Sequence, residues 1–157
     1  MVTLSANNAL VTTIADLSGH LGRRLGPTRW RSLTQEEVDR FADLTDDHNF
    51  IHVDPARARA SRFGGTIAHG FLTLSLVGPI SQELIVVSDA ATSINYGLNK
   101  VRFPAPVRVG AEFRGAGELV EVIAVDGGVQ VTATFTFEVQ GSPKPALVAE
   151  CLLRFYA

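Results

Sequence analysis

The second half of the chain is marked by a two-residue alternation of apolar and polar positions. From position 129 to 139 the odd positions hold Val, Ala or Phe, and the even positions hold Gln, Thr or Glu. This period is that of a β-strand with one buried face. Asp126-Gly127-Gly128 supplies turn residues after a preceding strand at about Glu112 to Ile123, which predicts a hairpin. Further strands are predicted at Thr92 to Tyr96, Lys100 to Phe103 and Leu147 to Phe155.

The first half of the chain shows helical spacing instead. Thr34 and Glu37 fit a capping box, and the apolar residues that follow predict a helix from about Gln35 to Leu44. Asp54-Pro55 places a good N-cap residue before a proline at the first helical position. A second, short helix is therefore predicted to run to about Ser61.

A long apolar run from Gly70 to about Leu84 predicts a central helix that is buried on most of its surface. Pro79 should kink or break this helix, because proline removes a backbone donor and crowds the preceding turn. From Ser5 to Leu25, short apolar pieces mixed with glycines predict a less distinctive helix, followed by a loop. Helices first and strands afterwards indicate an α+β domain whose sheet packs on one long helix.

Length and composition narrow the class of protein. The chain has 157 residues, 46% apolar and 19% charged, so one domain over 1–157 is expected, with 1–30 its least defined part. A formal charge of -2 argues against nucleic acid or an anionic membrane surface as partners. Cys151 cannot form an internal disulfide, and neither a secretory signal nor a membrane-spanning stretch is evident, so a cytoplasmic location is expected.

The segment between the first two predicted helices carries the candidate chemistry. Asp47 and His52 are five positions apart, which would separate them by about 140° on a helix, so they must converge through a loop. The Asn, Asp and His content of the segment favours an irregular conformation. A carboxylate and an imidazole that meet in such a loop can hold one water between them. Such a pair suits general acid/base catalysis near neutral pH.

Other interpretations of these residues exist. An isolated Asp and His in a loop are more often capping or surface groups. His48 and His52, with Asp46 nearby, could instead suggest a metal site, but a spaced third ligand cluster is lacking and no metal is expected. His69 could line a pocket or orient the turn before the central helix by a backbone hydrogen bond.

A wider pattern surrounds the pair. The stretch Thr45-Asp46-Asp47-His48-Asn49-Phe50-Ile51-His52-Val53-Asp54, followed by Ala58 and by Ala68-His69-Gly70, resembles the hydratase motif of MaoC-like dehydratases and R-specific enoyl-CoA hydratases. The resemblance continues from Asn95 to Val107 and covers roughly residues 30–157. In type, the chain is most similar to single-domain, mycobacterial-type R-hydratases of actinobacteria.

The resemblance implies a single hotdog fold, in which a curved antiparallel sheet wraps around the central helix that starts near Gly70. It implies R-specific, reversible hydration of trans-2-enoyl-CoA by a homodimer, with no cofactor beyond the CoA of the substrate. Asp47 and His52 match the catalytic pair. Gly70 matches the glycine whose backbone N–H polarises the thioester carbonyl, and Asn49 matches a polar loop position at the substrate site.

Two positions depart from the family pattern. Asp46 stands where a glycine is common, and Phe50 where a proline is common. The extra carboxylate could raise the apparent pKa values of the pair by like-charge repulsion, and Phe50 removes a constraint on the loop.

Two other functions remain open: a hotdog thioesterase, in which water attacks the carbonyl carbon, and a non-catalytic acyl-CoA-binding or partner subunit. Basic residues that could pair with CoA phosphates are Arg57, Arg59, Arg62, Lys100, Arg102 and Arg108.

Overall fold

The computed structural model describes residues 8–157 of the chain. Their strands are β1 (Leu10–Thr12), β2 (Arg24–Leu25), β3 (Ile85–Val87), β4 (Thr92–Arg102), β5 (Phe113–Val125), β6 (Gly128–Val139) and β7 (Leu147–Tyr156). Their α-helices are α1 (Gln35–Thr45), α2 (Phe50–Val53), α3 (Pro55–Arg59), α4 (Gly70–Ser75) and α5 (Val77–Leu84). The predicted α+β organisation is confirmed. Within 8–157 no helix combines the length and apolarity needed to cross a bilayer.

Five strands form one antiparallel sheet in the order β2-β5-β6-β7-β4. The predicted hairpin is present, because Val125 pairs with Gly128 across a turn in which Gly127 has a φ of 75°. Glycine adopts this left-handed conformation without steric cost. The alternation of β6 also holds, since Phe135 and Phe137 on its inner face are fully buried. A separate pair of short parallel strands, β1 and β3, lies outside this sheet.

Strand β4 differs from its prediction. The sequence suggested two strands at Thr92 to Tyr96 and Lys100 to Phe103, but one strand runs from Thr92 to Arg102. Its pairing with β7 shifts register between Asn95 and Gly97 and again between Leu98 and Lys100. Each shift marks a β-bulge, which inserts an extra residue and breaks the apolar alternation without ending the strand.

The central helix is interrupted before its proline. α4 ends at Ser75 and α5 begins at Val77, so the predicted interruption of the helix by Pro79 is confirmed, and it lies in the preceding turn. Pro79 is the third residue of α5, and it has no N–H to donate to the carbonyl of Ser75 four positions earlier. The break therefore falls in the turn that the proline ring would crowd.

The predicted N-terminal helix is wrong over the described part of its range. Residues 8–25 form β1, a short 3-10 helix at Leu17–His20 and β2, while residues 5–7 lie outside the described residues. Leu10 pairs with Ile85, which comes directly after α5. The first apolar residues of this segment therefore form a strand and not a helix, because they pair with β3, which is remote in sequence.

Two glycines of β5 let the sheet approach α5 closely. Gly115 and Gly117 face the helix, and a Cβ on Gly115 would lie 2.7 Å from Cγ2 of the fully buried Ile80. The same Cβ would lie 3.0 Å from Phe137 Cε1. The absence of side chains here therefore sets the distance between the two layers.

Substitution of Gly115 by alanine should destabilise the fold. Because the core has no room for the methyl group, we expect the free energy of unfolding to fall by about 1 to 3 kcal/mol. Urea denaturation measures this change. Gly19→Ala is the control, because nothing lies within 4 Å of a Cβ at that position. Equal stability of the two variants would show that the layers separate freely.

Candidate active site

The turn after α1 places the first candidate residue. α1 ends at a residue in the left-handed conformation, Asp46, which has a φ of 57°. The backbone N–H of Asp47 then donates to the Ala42 carbonyl at 3.1 Å. A glycine would adopt this φ freely, and Asp is among the side chains that tolerate it. Asp46 is fully exposed, and its Oδ1 lies 3.6 Å from His48 Nδ1, so its carboxylate interacts with His48.

The second candidate residue lies on a helical turn that the sequence did not predict. Phe50–Val53 forms α2, although the segment was expected to be irregular. Asn49 caps this turn, since its Oδ1 accepts a hydrogen bond from the Ile51 N–H at 3.3 Å. Phe50 takes the first helical position, where proline is favoured. The Arg57 guanidinium lies 4.2 Å from the centre of the Phe50 ring and packs over it.

Asp47 and His52 converge, and His69 joins them. The side-chain ligand atoms of these three residues lie within 4.8 Å of one another. Asp47 is exposed, whereas His52 and His69 are buried. The sequence paired Asp47 with His52 through the loop, and the structure brings the two together at the end of α1 and on α2.

The His52 ring is held in one orientation. Its Nδ1 lies 2.7 Å from the carbonyl oxygen of Ile67, which can only accept, so Nδ1 carries the proton. Nε2 is left as the basic nitrogen. Burial lowers the pKa of His52, and the nearby His69 lowers it further, against the opposing effects of the Ile67 hydrogen bond and of Asp47. His52 is therefore neutral, and able to accept a proton, at neutral pH.

This pKa direction predicts the pH dependence of activity. A general base works only when it is deprotonated, and His52 stays deprotonated below the ordinary histidine pKa of 6.5. We expect the acid limb of the kcat/KM profile to have its midpoint below pH 6.5. A midpoint above that value would show that another group is the base. His48→Ala is the control, because exposed His48 instead has a raised pKa, owing first to its hydrogen bond with Asp43.

His69 contacts both members of the pair. Its Nε2 donates to the backbone carbonyl of Asp47 at 3.0 Å, and its ring stacks on His52 with centroids 3.8 Å apart. The predicted backbone hydrogen bond is thus present, but it orients the Asp47 segment rather than the turn before α4. Its Nδ1 is buried and has no hydrogen-bond partner among residues 8–157. Only the tertiary fold reveals the stacking, because His52 and His69 are distant in sequence.

The two histidines of this cluster are poorly arranged to bind one metal ion together. With Nδ1 of His52 and Nε2 of His69 already donating, the free lone pairs are on His52 Nε2 and His69 Nδ1. The two rings are inclined by only 26°, so these in-plane lone pairs lie in nearly parallel planes. Such lone pairs do not converge on a common ion. His48, the other candidate ligand, pairs with Asp43 at 2.9 Å instead.

Gly70 stands next to this cluster. It is the first residue of α4, with His69 as N-cap, and the N–H groups of a first helical turn have no intrahelical partner. A Cβ at Gly70 would lie 3.3 Å from the Phe103 ring. Gly70 thus carries the first backbone N–H of α4 and directly follows His69 of the cluster, and its role toward a thioester stays a prediction. Asn49 is an exposed capping residue, and its role toward substrate stays a prediction.

An antiparallel sheet packed on a central helix is the arrangement of a hotdog fold, and the Asp47 and His52 pair is the kind of site expected in its hydratases and dehydratases. The family described as "MaoC like domain" matches residues 16–140. The chain belongs to this family, as its motif suggested.

The relatives agree with that class. The chain is 51% identical over 146 residues to 3-hydroxyacyl-thioester dehydratase Z of Mycobacterium tuberculosis, covering 92% of this chain and 97% of the relative. The solved (R)-hydratase from A. caviae involved in PHA biosynthesis matches with a TM-score of 0.69 and 27% identity, over 85% of this chain and 94% of that one. R-hydratase PhaJ1 from Pseudomonas aeruginosa has a TM-score of 0.74 at 22% identity, over 92% of this chain and 85% of that one, and shows the fold. The predicted hotdog fold is confirmed, and the chain is a hydro-lyase.

Proposed function

We propose that the chain catalyses the reversible, R-specific hydration of a trans-2-enoyl-CoA to an (R)-3-hydroxyacyl-CoA. The observation that carries this proposal is the convergence of Asp47 and His52 with His69, the N-cap residue of α4. The 51% identical relative is named a 3-hydroxyacyl-thioester dehydratase, which is the same reaction class in reverse. No metal or redox group is required by the chemistry, and none is proposed.

The proposed reaction adds the elements of water across the double bond. A water between Asp47 and His52 loses a proton to the basic Nε2 of His52 while its oxygen bonds to C3. The π electrons move toward the thioester, and the C2 carbon then takes a proton from the same coupled pair. Hydroxyl at C3 and hydrogen at C2 account for both parts of the water. Acid/base assistance of this kind typically contributes about 10² to 10⁴-fold.

Gly70 supplies the electrophilic part of the proposed site. Negative charge builds up on the thioester oxygen during the addition, and the Gly70 N–H at the start of α4 is a fixed donor for it. The positive end of the helix dipole acts in the same direction. Because Gly70 has no side chain, the thioester can approach the backbone closely.

An apolar cavity suits the acyl chain. It has a volume of about 210 Å³ and lies between the central helix and strands β4 and β7. Leu74 of α4 and Gly78 of α5 line it, one on each side of the break in the central helix. Cys151 also lines it, and burial raises the pKa of the thiol to about 11, so the group is neutral at physiological pH. We propose that the acyl chain runs from Gly70 into this cavity.

We also propose that the active form is a cytoplasmic homodimer joined through β4. This strand is at the edge of the sheet, so one side of its backbone is unpaired within the described part of the chain. Ile94, Tyr96 and Leu98 are each exposed by more than 40% on this strand. An exposed, apolar edge strand is a template for pairing with a second copy.

Sedimentation equilibrium tests the dimer. We expect wild type to have twice the mass of one chain, and Ile94→Lys to raise the dissociation constant by roughly tenfold or more, because symmetry places an unpaired charge in both halves of an apolar interface. Ile123→Lys is the matched control, since Ile123 is exposed by 43% and Ile94 by 44%. A dimer that weakens equally in both variants, or not at all, would exclude β4 as the interface.

Absorbance of the conjugated thioester tests the reaction itself. Purified protein mixed with trans-2-enoyl-CoA should remove this absorbance without releasing free thiol. Thiol release with loss of the thioester would favour the thioesterase alternative. Tight binding of enoyl-CoA without any turnover would instead favour a non-catalytic subunit. Either result would overturn the proposal.

A further inference from the structure

We infer that Gln35 is a positioning residue for the reaction. Its side-chain amide bonds both to the backbone of His52 and to Thr66, which precedes Ile67. The Ile67 carbonyl orients the His52 ring. This inference rests on the proposed function, since it assigns Gln35 a role through His52. It concerns a residue at the start of α1 that does not touch the acid/base atoms.

Three hydrogen bonds use every polar atom of the Gln35 amide. Nε2 donates to the His52 carbonyl at 2.7 Å and to Asp39 Oδ1 at 2.8 Å. Oε1 accepts from the Thr66 hydroxyl at 2.6 Å. These partners fix which end of the amide is which, because the opposite orientation would place its oxygen against two acceptors.

The two segments that Gln35 joins are those that set the His52 ring. His52 Nδ1 donates to the Ile67 carbonyl at 2.7 Å, and the Ile67 N–H donates to the Ile51 carbonyl at 3.0 Å. Thr66 directly precedes Ile67, and its side chain is bonded to Gln35. Gln35 therefore completes a closed ring of hydrogen bonds that includes the His52 imidazole. This ring links Gln35 in α1, His52 in α2 and the segment 66–67 that leads into α4.

The ring of bonds has a chemical consequence at Nε2. The Ile67 carbonyl keeps the proton on Nδ1, which leaves Nε2 as the acceptor that the proposed water needs. A loosened Ile67 segment allows the imidazole to turn and its proton to exchange between the two nitrogens. Because catalytic geometry tolerates little displacement, loss of this support should reduce turnover more than substrate binding.

The decisive variant is Gln35→Met, which keeps the length of the side chain but removes all three hydrogen bonds. We expect kcat to fall by roughly tenfold to a hundredfold, with KM little changed. Asp39→Asn is the matched control, because its amide oxygen can still accept from Gln35. Thr66→Val breaks only one of the three bonds and should lie between the two variants.

Two further readouts separate positioning from a general loss of stability. The ionisable groups whose fields act on the His52 ring are Asp47 and His69, and neither is changed by Gln35→Met. Since the Ile67 hydrogen bond raises the pKa of His52, its weakening should move the acid limb of kcat/KM to lower pH. In a His52→Ala background, Gln35→Met should have almost no additional effect on kcat.

Nitrogen NMR of the imidazoles tests the inference without relying on activity. The chain has four histidines, and the signal lost in His52→Ala identifies His52. Wild type should show the proton on Nδ1, and Gln35→Met should show a mixture of tautomers or a lower pKa. An unchanged tautomer and pKa in Gln35→Met, or an equal fall of kcat with and without His52, would overturn the inference. Wild type with an ordered His52 but no hydration would instead count against the proposed function.

Discussion

Asp47→Asn and His52→Ala should each lower kcat by at least about a hundredfold in the hydration of enoyl-CoA, because each removes one half of the proposed acid/base pair. The amide of the first variant can still accept a hydrogen bond but cannot take a proton. The second variant removes the buried imidazole that the Ile67 carbonyl holds in one orientation. Initial rates of absorbance loss measure both effects.

The chain provides matched controls for both substitutions. Asp46→Asn makes the same chemical change one position away, on a side chain that is fully exposed and 3.6 Å from His48. His48→Ala removes an imidazole that pairs with Asp43 outside the cluster. Both controls should retain nearly full activity, and the double variant at Asp47 and His52 should be little worse than either single one. Comparable losses in the controls would show that the assignment of the pair is wrong.

Gly70→Pro should lower kcat by about 10² to 10³-fold, because it removes the N–H proposed to stabilise the thioester oxygen. The backbone accommodates this change. Gly70 is the first residue of α4, a position where proline is common. The preceding His69 already has φ and ψ values of -58° and 142°, within the region that a following proline requires.

Gly70→Ala separates the donor from the space around it. Alanine keeps the N–H and adds the Cβ that would lie 3.3 Å from the Phe103 ring. Phe103 is 43% exposed and has room to move, so we expect a much smaller loss of kcat in this variant. Steady-state kinetics and thermal melting of both variants decide the question. Equal losses in the two would mean that space, rather than the N–H, is what Gly70 supplies.

The elements that the sequence predicted correctly are those whose residue patterns depend only on near neighbours in the chain. The alternation around Phe135 and the capping box at Thr34 needed no knowledge of distant partners, and both are present. β1 was missed because its three residues pair with β3, which the chain reaches only after α5. α2 was missed because a four-residue helix is too short to show a periodic pattern.

The convergence of Asp47 and His52 was predictable from the sequence, but the contacts around them were not. Spacing alone left Asp47 and His52 as possible caps, and the wider motif selected them. The stacking of His69 on His52, and the bridge from Gln35 to Thr66 across 31 positions, depend on how separate segments meet. These contacts could not be inferred from one sequence, because hydrogen-bonding side chains are common and their partners are set by the tertiary fold.

The configuration of the product at C3 tests the central claim most directly. Trans-2-butenoyl-CoA is incubated with wild type in heavy water, and the 3-hydroxyacyl-CoA is resolved by chiral chromatography and mass spectrometry. Water addition by the Asp47 and His52 pair to one face of the substrate predicts a single enantiomer, which the proposed specificity makes R, with one deuterium at C2. Its formation should be at least about a hundredfold slower in Asp47→Asn. A product of S configuration or a racemate, or R product formed equally by Asp47→Asn, would contradict the account.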